Sequence, residues 1–87
     1  MASYELVVKK SIAKDLRDVP KRDVKRILSK TASLADDPRP TDCEKLSGEE
    51  RYRVREGVYR IVYEIVDKRL IVIVVKVGHR RDVNRRS

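Results

Sequence analysis

Two aliphatic segments in the second half of the chain constrain the fold most. They cover Val58–Val66 and Leu70–Val77, are rich in valine and isoleucine, and are separated by only three residues, 67–69. Branched side chains at this density favour strands, and so short a connection joins antiparallel neighbours. Because the 87 residues include no tryptophan or phenylalanine, these segments must supply most of the core, and we expect a single small domain over residues 1–87.

The predicted sheet continues on the N-terminal side of these segments. Arg51–Arg55 has a period of two and is followed by Glu56 and Gly57, which predicts a strand and a two-residue hairpin turn. Leu70–Val77 is apolar at every position except Lys76, which predicts a central strand covered on both faces. Three consecutive antiparallel strands are therefore expected.

The first half of the chain predicts one strand and two helices. A short β-prone run covers residues 4–8, helices follow over about 11–18 and 20–35, with Pro20 in the first turn of the second, and a loop runs over 36–50. The apolar residues expected on the inner face of the second helix are Val24, Ile27, Leu28, Ala32 and Leu34 or Ala35. The order β-α-α-β-β-β indicates an α+β fold, in which a two-helix hairpin packs on a small, mainly antiparallel sheet.

The composition argues against several classes of protein. No apolar run approaches the roughly 20 residues that span a bilayer, and the N-terminus has no apolar signal-peptide core, so neither a membrane protein nor Sec export is expected. Cys43 is the only cysteine, which excludes an internal disulfide and favours a reducing cytoplasm. With three glycines in all, the chain has no Gly-rich nucleotide-binding loop.

The net charge of +8 is unevenly distributed. Residues 1–50 hold 11 basic and 10 acidic side chains, whereas residues 51–87 hold 11 basic and 4 acidic ones. Such an excess attracts polyanions through Coulomb forces and counterion release. A nucleic acid is therefore the predicted partner, and an acidic protein is the competing interpretation.

Three arginines are predicted to share one face of the sheet. If Glu56 and Gly57 form the turn, Arg53 lies opposite Arg60, and Arg55 points to the same side. Side-by-side guanidinium groups repel one another, and a bound polyanion would relieve that cost. The alternative is a solvated basic face, and a register slip of one residue would scatter the cluster.

Three strings in the sequence carry a family resemblance. Lys45–Gly48, Tyr52–Ile65 and Val77–Val83, in this order and spacing, resemble the RelE/ParE toxin superfamily, and the RelE branch more closely than ParE. The resemblance implies a RelE-like fold and a toxin of a type II toxin–antitoxin system. In that branch the toxin is a ribosome-dependent endoribonuclease: the 2′-hydroxyl of the mRNA attacks its own 3′-phosphate, and neither a metal nor a cofactor is needed.

The resemblance also implies which basic residues act. Arg53 and Arg55 match two lysine or arginine positions of the family, Arg60 matches the arginine of the Tyr-Arg pair, and Arg80 matches the arginine after the glycine. Arg60 and Arg80 would stabilise charge on the phosphate, and Arg81 would help to bind the substrate. The three tyrosines of the resembling segment are more in keeping with sheet packing than with base stacking.

Two further positions bear on catalysis. Arginine keeps its proton and cannot serve as a general base, whereas His79 is the one histidine of the chain and is the candidate acid or base, because histidine is the side chain most often used for proton transfer. An orienting or surface role for His79 is the alternative. Asn84 stands where the family usually has a tyrosine that orients or stacks on the nucleotide, so it is a candidate catalytic position at which activity is weakened.

The resemblance implies partners and leaves two other functions open. The expected partners are a cognate antitoxin, the ribosome and its mRNA, with operator DNA reached only through the antitoxin and no membrane. A ParE-like toxin that binds DNA gyrase is one alternative, although a protein-binding surface does not require converging arginines. A catalytically silent module that only binds antitoxin is the other, and Asn84 is the feature that supports it.

Replacing Asn84 with tyrosine is expected to increase toxicity, because the phenol restores both an aromatic face and a hydroxyl at that position. The measurement is growth arrest after induction of the wild-type and Asn84→Tyr chains at matched protein levels. Equal arrest by the two chains would contradict the prediction.

Overall fold

A five-stranded sheet with two helices on one face makes up residues 3–46 and 50–79, the part of the chain that the computed structural model describes. In chain order the elements are β1 (Glu5–Val8), α1 (Ile12–Asp15), α2 (Lys21–Asp36), β2 (Glu44–Lys45), β3 (Arg51–Glu56), β4 (Tyr59–Val66) and β5 (Ile71–His79). The strand order is β1-β5-β4-β3-β2. The predicted α+β class is confirmed, with the two-residue β2 added to the predicted order.

The sheet is mainly antiparallel because its C-terminal strands follow one another through short connections. β3, β4 and β5 pair antiparallel in sequence, and β2 adds antiparallel to β3. β1 instead pairs parallel with β5, with Glu5 opposite Ile71 and Val8 opposite Val74. Strands from the two ends of the chain therefore lie side by side at one edge.

The core lies between α2 and the alternate residues of β3, β4 and β5. Fully burying an aliphatic or aromatic side chain stabilises the fold by about 1.5–3 kcal/mol, so this cluster supplies most of the driving force. Its buried members are Ile12, Ile27, Leu34, Tyr52, Val54, Ile61, Tyr63, Ile65, Val72, Val74 and Val77.

Tyrosines extend this core, as predicted. Tyr52 and Tyr63 are buried and their rings stack with centroids 5.8 Å apart, while Tyr59 is half-buried against the cluster. The Tyr63 hydroxyl donates a hydrogen bond of 2.7 Å to the Pro38 carbonyl. The ring thus fills the core while its hydroxyl holds the start of the loop after α2.

An ion pair joins the same loop to the turn between β4 and β5. Arg39 Nη2 donates to Asp67 Oδ2 at 2.9 Å, and Arg39 Nε donates to the Tyr52 hydroxyl at 3.1 Å. The Tyr4 hydroxyl donates to the other oxygen of Asp67 at 2.8 Å. These hydrogen bonds, from Arg39 first and then Tyr4, hold the pKa of Asp67 below its usual range. The loop that leads to β2 is therefore anchored at its first turn.

The first helix is shorter than predicted. α1 ends at Asp15 rather than at residue 18, and the chain continues in tighter turns up to Val19, whose N–H donates to the Leu16 carbonyl at 3.1 Å. Pro20 disfavours helical geometry at the residue before it, so the helix has to end ahead of Val19. The second helix begins at Lys21, so Pro20 lies at the N-cap just before the helix and not in its first turn as predicted. Among the described residues, neither helix is long and apolar enough to cross a membrane.

The buried stripe of α2 is narrower than predicted. Ile27 and Leu34 are buried, but Leu28 is 45% exposed and Ala32 is also exposed, so the prediction is wrong for these two. Thr31 lies between the two buried residues, and its hydroxyl donates to the Leu28 carbonyl at 2.7 Å, which removes the cost of burying it. A small sheet covers only this one stripe of the helix.

β5 is covered on one face, not on both as predicted. Val72, Val74 and Val77 are buried, whereas the intervening aliphatic residues are partly exposed on the open face. Val62 pairs with Lys76 and Tyr63 with Val74, so a β-bulge skips Val75. The bulge inverts the alternation of the strand, directing Val77 into the core and Lys76 out of it.

Replacing Tyr63 with phenylalanine is expected to lower the free energy of unfolding by about 1 kcal/mol, because the Pro38 carbonyl loses its donor. The matched control is Tyr59→Phe, since the Tyr59 hydroxyl makes only a 3.4 Å hydrogen bond to Asp23. Urea denaturation measures both changes. A loss for Tyr63→Phe no larger than that of the control would be inconsistent with this hydrogen bond anchoring the loop.

Candidate functional site

The β3–β4 hairpin places three arginines on the face of the sheet opposite the helices. Arg55 pairs with Arg60 and Arg53 with Val62, so the predicted pairing of Arg53 with Arg60 is wrong. The loop consists of Gly57 and Val58, because Gly57 adopts a φ of 60° that suits glycine at the first loop position. Relative to the prediction, the pairing of the two strands is shifted by two residues, and an even shift leaves every side chain on the same face of the sheet. All three arginines therefore lie on the face that was predicted.

A cavity of about 460 Å³ opens on this face. It is lined by Asp42, Glu44, Arg53, Arg55, Gly57 and Arg60. Of the three arginines, Arg55 is exposed and Arg53 and Arg60 are partly buried. The structure therefore gathers the three predicted hairpin arginines at one concave surface.

Arg53 is the most constrained of the three. Its side chain is 19% exposed, and its Nη2 donates to Glu44 Oε1 at 2.9 Å. Its Nε is buried and has no acceptor among the described residues. A buried N–H without an acceptor is costly, and an anion with two oxygens could bind Nε and Nη2 together.

Positive charge is concentrated at one end of this face. Arg51, further along β3, is paired with Glu64 through an Nη2–Oε2 distance of 2.6 Å. By contrast, no ion pair joins Arg55 to a residue within 3–46 or 50–79. Gly78 lies opposite Arg60 in the next strand and adds no side chain to this row. Space and positive charge therefore coincide at the turn end of the hairpin.

Glu44 is a site residue that the sequence did not indicate. It lies opposite Arg53 in the β2–β3 pairing. Its hydrogen bond from Arg53 and the nearby charges of Arg60 and Arg55 hold the pKa of its carboxyl below the usual range. A strand of two residues is too short to give a period of two, so Glu44 appeared only as part of a loop.

His79 does not join the arginines. It pairs with Tyr59 on the helix-covered face, where the two rings meet edge to face with centroids 5.9 Å apart. A separate cavity of about 340 Å³ there includes Asp15 and Asp18. The bulge at Val75 is the physical reason, because uninterrupted alternation would have turned His79 toward the arginines.

The remaining predicted site residues, Arg80, Arg81 and Asn84, lie outside the described residues. Within the part that is described, no three His, Cys, Asp or Glu side chains are grouped to hold a metal ion. What the described cavity offers chemically is guanidinium donors for an anion and a carboxylate beside them.

The sequence of this chain matches a known protein family. A family model described as the ParE toxin of the type II toxin–antitoxin system, parDE, matches residues 6–84. The chain belongs to the RelE/ParE toxin family. The resemblance predicted from three short strings is thus confirmed at the level of the family.

Individual members of the RelE/ParE toxin family agree with this assignment. A protein of Methanocaldococcus jannaschii named as toxin RelE1 is 31% identical over 81 residues, which cover 88% of this chain and 90% of the relative. The crystal structure of the archaeal RelE–RelB complex from Pyrococcus horikoshii is similar with a TM-score of 0.80 and 30% identity, covering 90% of this chain and 96% of that one. The RelBE2 complex of Mycobacterium tuberculosis, at 24% identity and a TM-score of 0.78 over 88% of this chain and 98% of that one, shares the fold.

Replacing Arg55 with glutamine is expected to raise the free energy of unfolding by about 0.2–1 kcal/mol at low salt, because a like charge directly opposite Arg60 is removed. The gain should shrink at high salt, which screens the repulsion. Arg51→Gln is the matched control and should lower stability by less than about 1 kcal/mol, because it breaks the pair with Glu64. Thermal unfolding at low and at high salt measures the stability of both variants. Equal losses of stability in Arg55→Gln and Arg51→Gln would contradict the prediction.

Proposed function

We propose that this chain is the toxin of a type II toxin–antitoxin pair and that it inhibits translation by cleaving ribosome-bound mRNA as a metal-independent endoribonuclease. The observation that carries the proposal is the single cavity lined by Arg53, Arg55 and Arg60. Family membership and the similarity to proteins named RelE support the same function.

The arginine cavity suits the transition state of RNA cleavage. When the 2′-hydroxyl attacks the adjacent phosphate, negative charge builds on the phosphorus oxygens, and preorganised donors stabilise it most effectively. Arginine remains charged at physiological pH and presents paired N–H groups that match two phosphate oxygens. The repulsion between Arg55 and Arg60 would then be relieved by the substrate.

The C-terminal residues complete the proposed site. As the family resemblance implies, Arg80 would stabilise the phosphate together with Arg60. Arg81 is proposed to help bind the RNA substrate. Asn84 replaces the usual tyrosine and is proposed to weaken the activity. The position of His79 on the helix-covered face favours its orienting or surface role over direct acid–base chemistry.

An antitoxin is the proposed regulator. Solved structures similar to this chain include complexes described as RelE–RelB and RelBE2. A cognate antitoxin with an acidic, partly disordered segment would fold onto the basic face of this chain and cover the cavity. Operator DNA would be reached only through that antitoxin, and the toxin would act in the cytoplasm, where ribosomes translate mRNA.

The description of the matching family as ParE favours a second candidate function, a toxin that binds DNA gyrase. Such a function needs a complementary protein surface but does not need arginines that converge in one cavity. Gyrase inhibition without ribosome-stimulated cleavage would favour this candidate.

Replacing Arg60 with alanine is expected to slow mRNA cleavage about 10²–10³-fold, since a donor to the transition state is lost. Primer extension on mRNA from programmed ribosomes measures the cleavage. Arg22→Ala is the control, because Arg22 is exposed on α2, outside the cavity, and should leave the rate close to wild type.

The comparison of these chains decides between the candidate functions. Cleavage by the wild-type chain that is lost in Arg60→Ala but not in Arg22→Ala supports the nuclease. Absence of ribosome-dependent cleavage by the wild-type and Asn84→Tyr chains, with growth arrest retained, would refute it. Tight antitoxin binding with neither cleavage nor growth arrest would identify a silent binding module.

A further inference from the structure

The proposed reaction needs a proton acceptor that the arginines cannot supply. A guanidinium keeps its proton at every physiological pH. His79 lies on the other face of the sheet, against Tyr59. Among the described residues that line the arginine cavity, the only side chains able to accept a proton are the carboxylates of Asp42 and Glu44.

These two carboxylates have different partners. Asp42 Oδ2 accepts from Lys30 Nζ on α2 at 3.2 Å, so it is held toward the helix. Glu44 Oε1 contacts Arg53 Nη2 at 2.9 Å, and its carboxyl is also influenced by Arg60 and Arg55. Of the two carboxylates, Glu44 is therefore the one that could reach a phosphate bound by the arginines.

An incoming phosphate would release Glu44 for this task. Arg53 Nη2 holds Glu44 while its neighbouring Nε has no acceptor among the described residues. A phosphate that binds both N–H groups forms two charge-assisted hydrogen bonds in place of one, so it competes well for this edge. Glu44 is 66% exposed at its side chain and can move aside.

We propose that Glu44 is the general base that accepts the proton of the ribose 2′-hydroxyl; this rests on the proposed function. As Glu44 takes the proton, O2′ forms a bond to phosphorus and the bond from phosphorus to O5′ breaks. The leaving O5′ takes a proton from water, and the hydroxide that remains takes the proton from Glu44. The products are a 2′,3′-cyclic phosphate and a 5′-hydroxyl, with no oxidant, metal or other reactant consumed.

The position of Glu44 predicts that its removal affects the rate of cleavage and the affinity for RNA differently. Glu44 is a negative charge beside Arg53, Arg55 and Arg60, so its removal should leave binding of RNA unchanged or make it tighter. A general base typically contributes about 10²–10⁴-fold to the rate. Loss of cleavage with retained affinity is therefore the expected signature, which a merely structural residue would not produce.

The experiment compares Glu44→Gln with wild type and with Glu5→Gln, a matched control because Glu5 is exposed on β1, at the opposite edge of the sheet from β2. Single-turnover cleavage is measured on ribosomes programmed with mRNA. Affinity is measured separately on ribosomes whose message carries 2′-O-methyl groups in the target codon and cannot be cleaved. We expect Glu44→Gln to cleave about 10²–10⁴-fold more slowly at equal or tighter affinity, and Glu5→Gln to resemble wild type.

Each outcome assigns a role to Glu44. Glu44→Gln that cleaves as fast as wild type, or faster, overturns the proposal and leaves Glu44 as a counter-charge to the arginines. A slower rate that weaker affinity fully explains also overturns it. If the wild-type chain itself does not cleave, the proposed function fails and the role of Glu44 fails with it, a result distinct from an active Glu44→Gln chain.

Discussion

Burial of one face of β3, β4 and β5 beneath α2 is the constraint on which the rest of the structure depends. Alternate residues must face Ile27 and Leu34 on the helix, so the residues between them must face away. Each buried aliphatic side chain contributes about 1.5–3 kcal/mol, whereas a like-charged pair across two strands costs at most about 1 kcal/mol. The core therefore decides the register, and the arginines are held close together despite their mutual repulsion.

This constraint is also why much of the site could be predicted from the sequence. The alternation around Val54 and Ile61 determines which face Arg53, Arg55 and Arg60 occupy, whatever the details of the turn. The loop lies one residue later than predicted. The strand pairing is therefore shifted by two residues, an even number, and the three arginines still share one face. A face is a more robust prediction than a pairing, because burial specifies the face directly and turn geometry specifies the pairing.

The parts that the sequence did not predict depend on local exceptions to alternation. The bulge at Val75 inverts the facing of every later residue of β5, and it separates His79 from the arginines. The bulge depends on tertiary packing rather than on the local sequence, because it allows Val77 rather than Lys76 to pack into the core. β2 is the second exception, since only pairing with β3 makes it a strand and brings Glu44 to Arg53.

The parallel pairing of β1 with β5 has a consequence for how the protein is made. Its partners, such as Glu5 and Ile71, are separated by most of the sequence. Contacts so distant along the chain close late, because the loop entropy between them must be overcome first. During synthesis we expect the apolar residues of β1 that pack against β5 to stay uncovered until β5 leaves the exit tunnel.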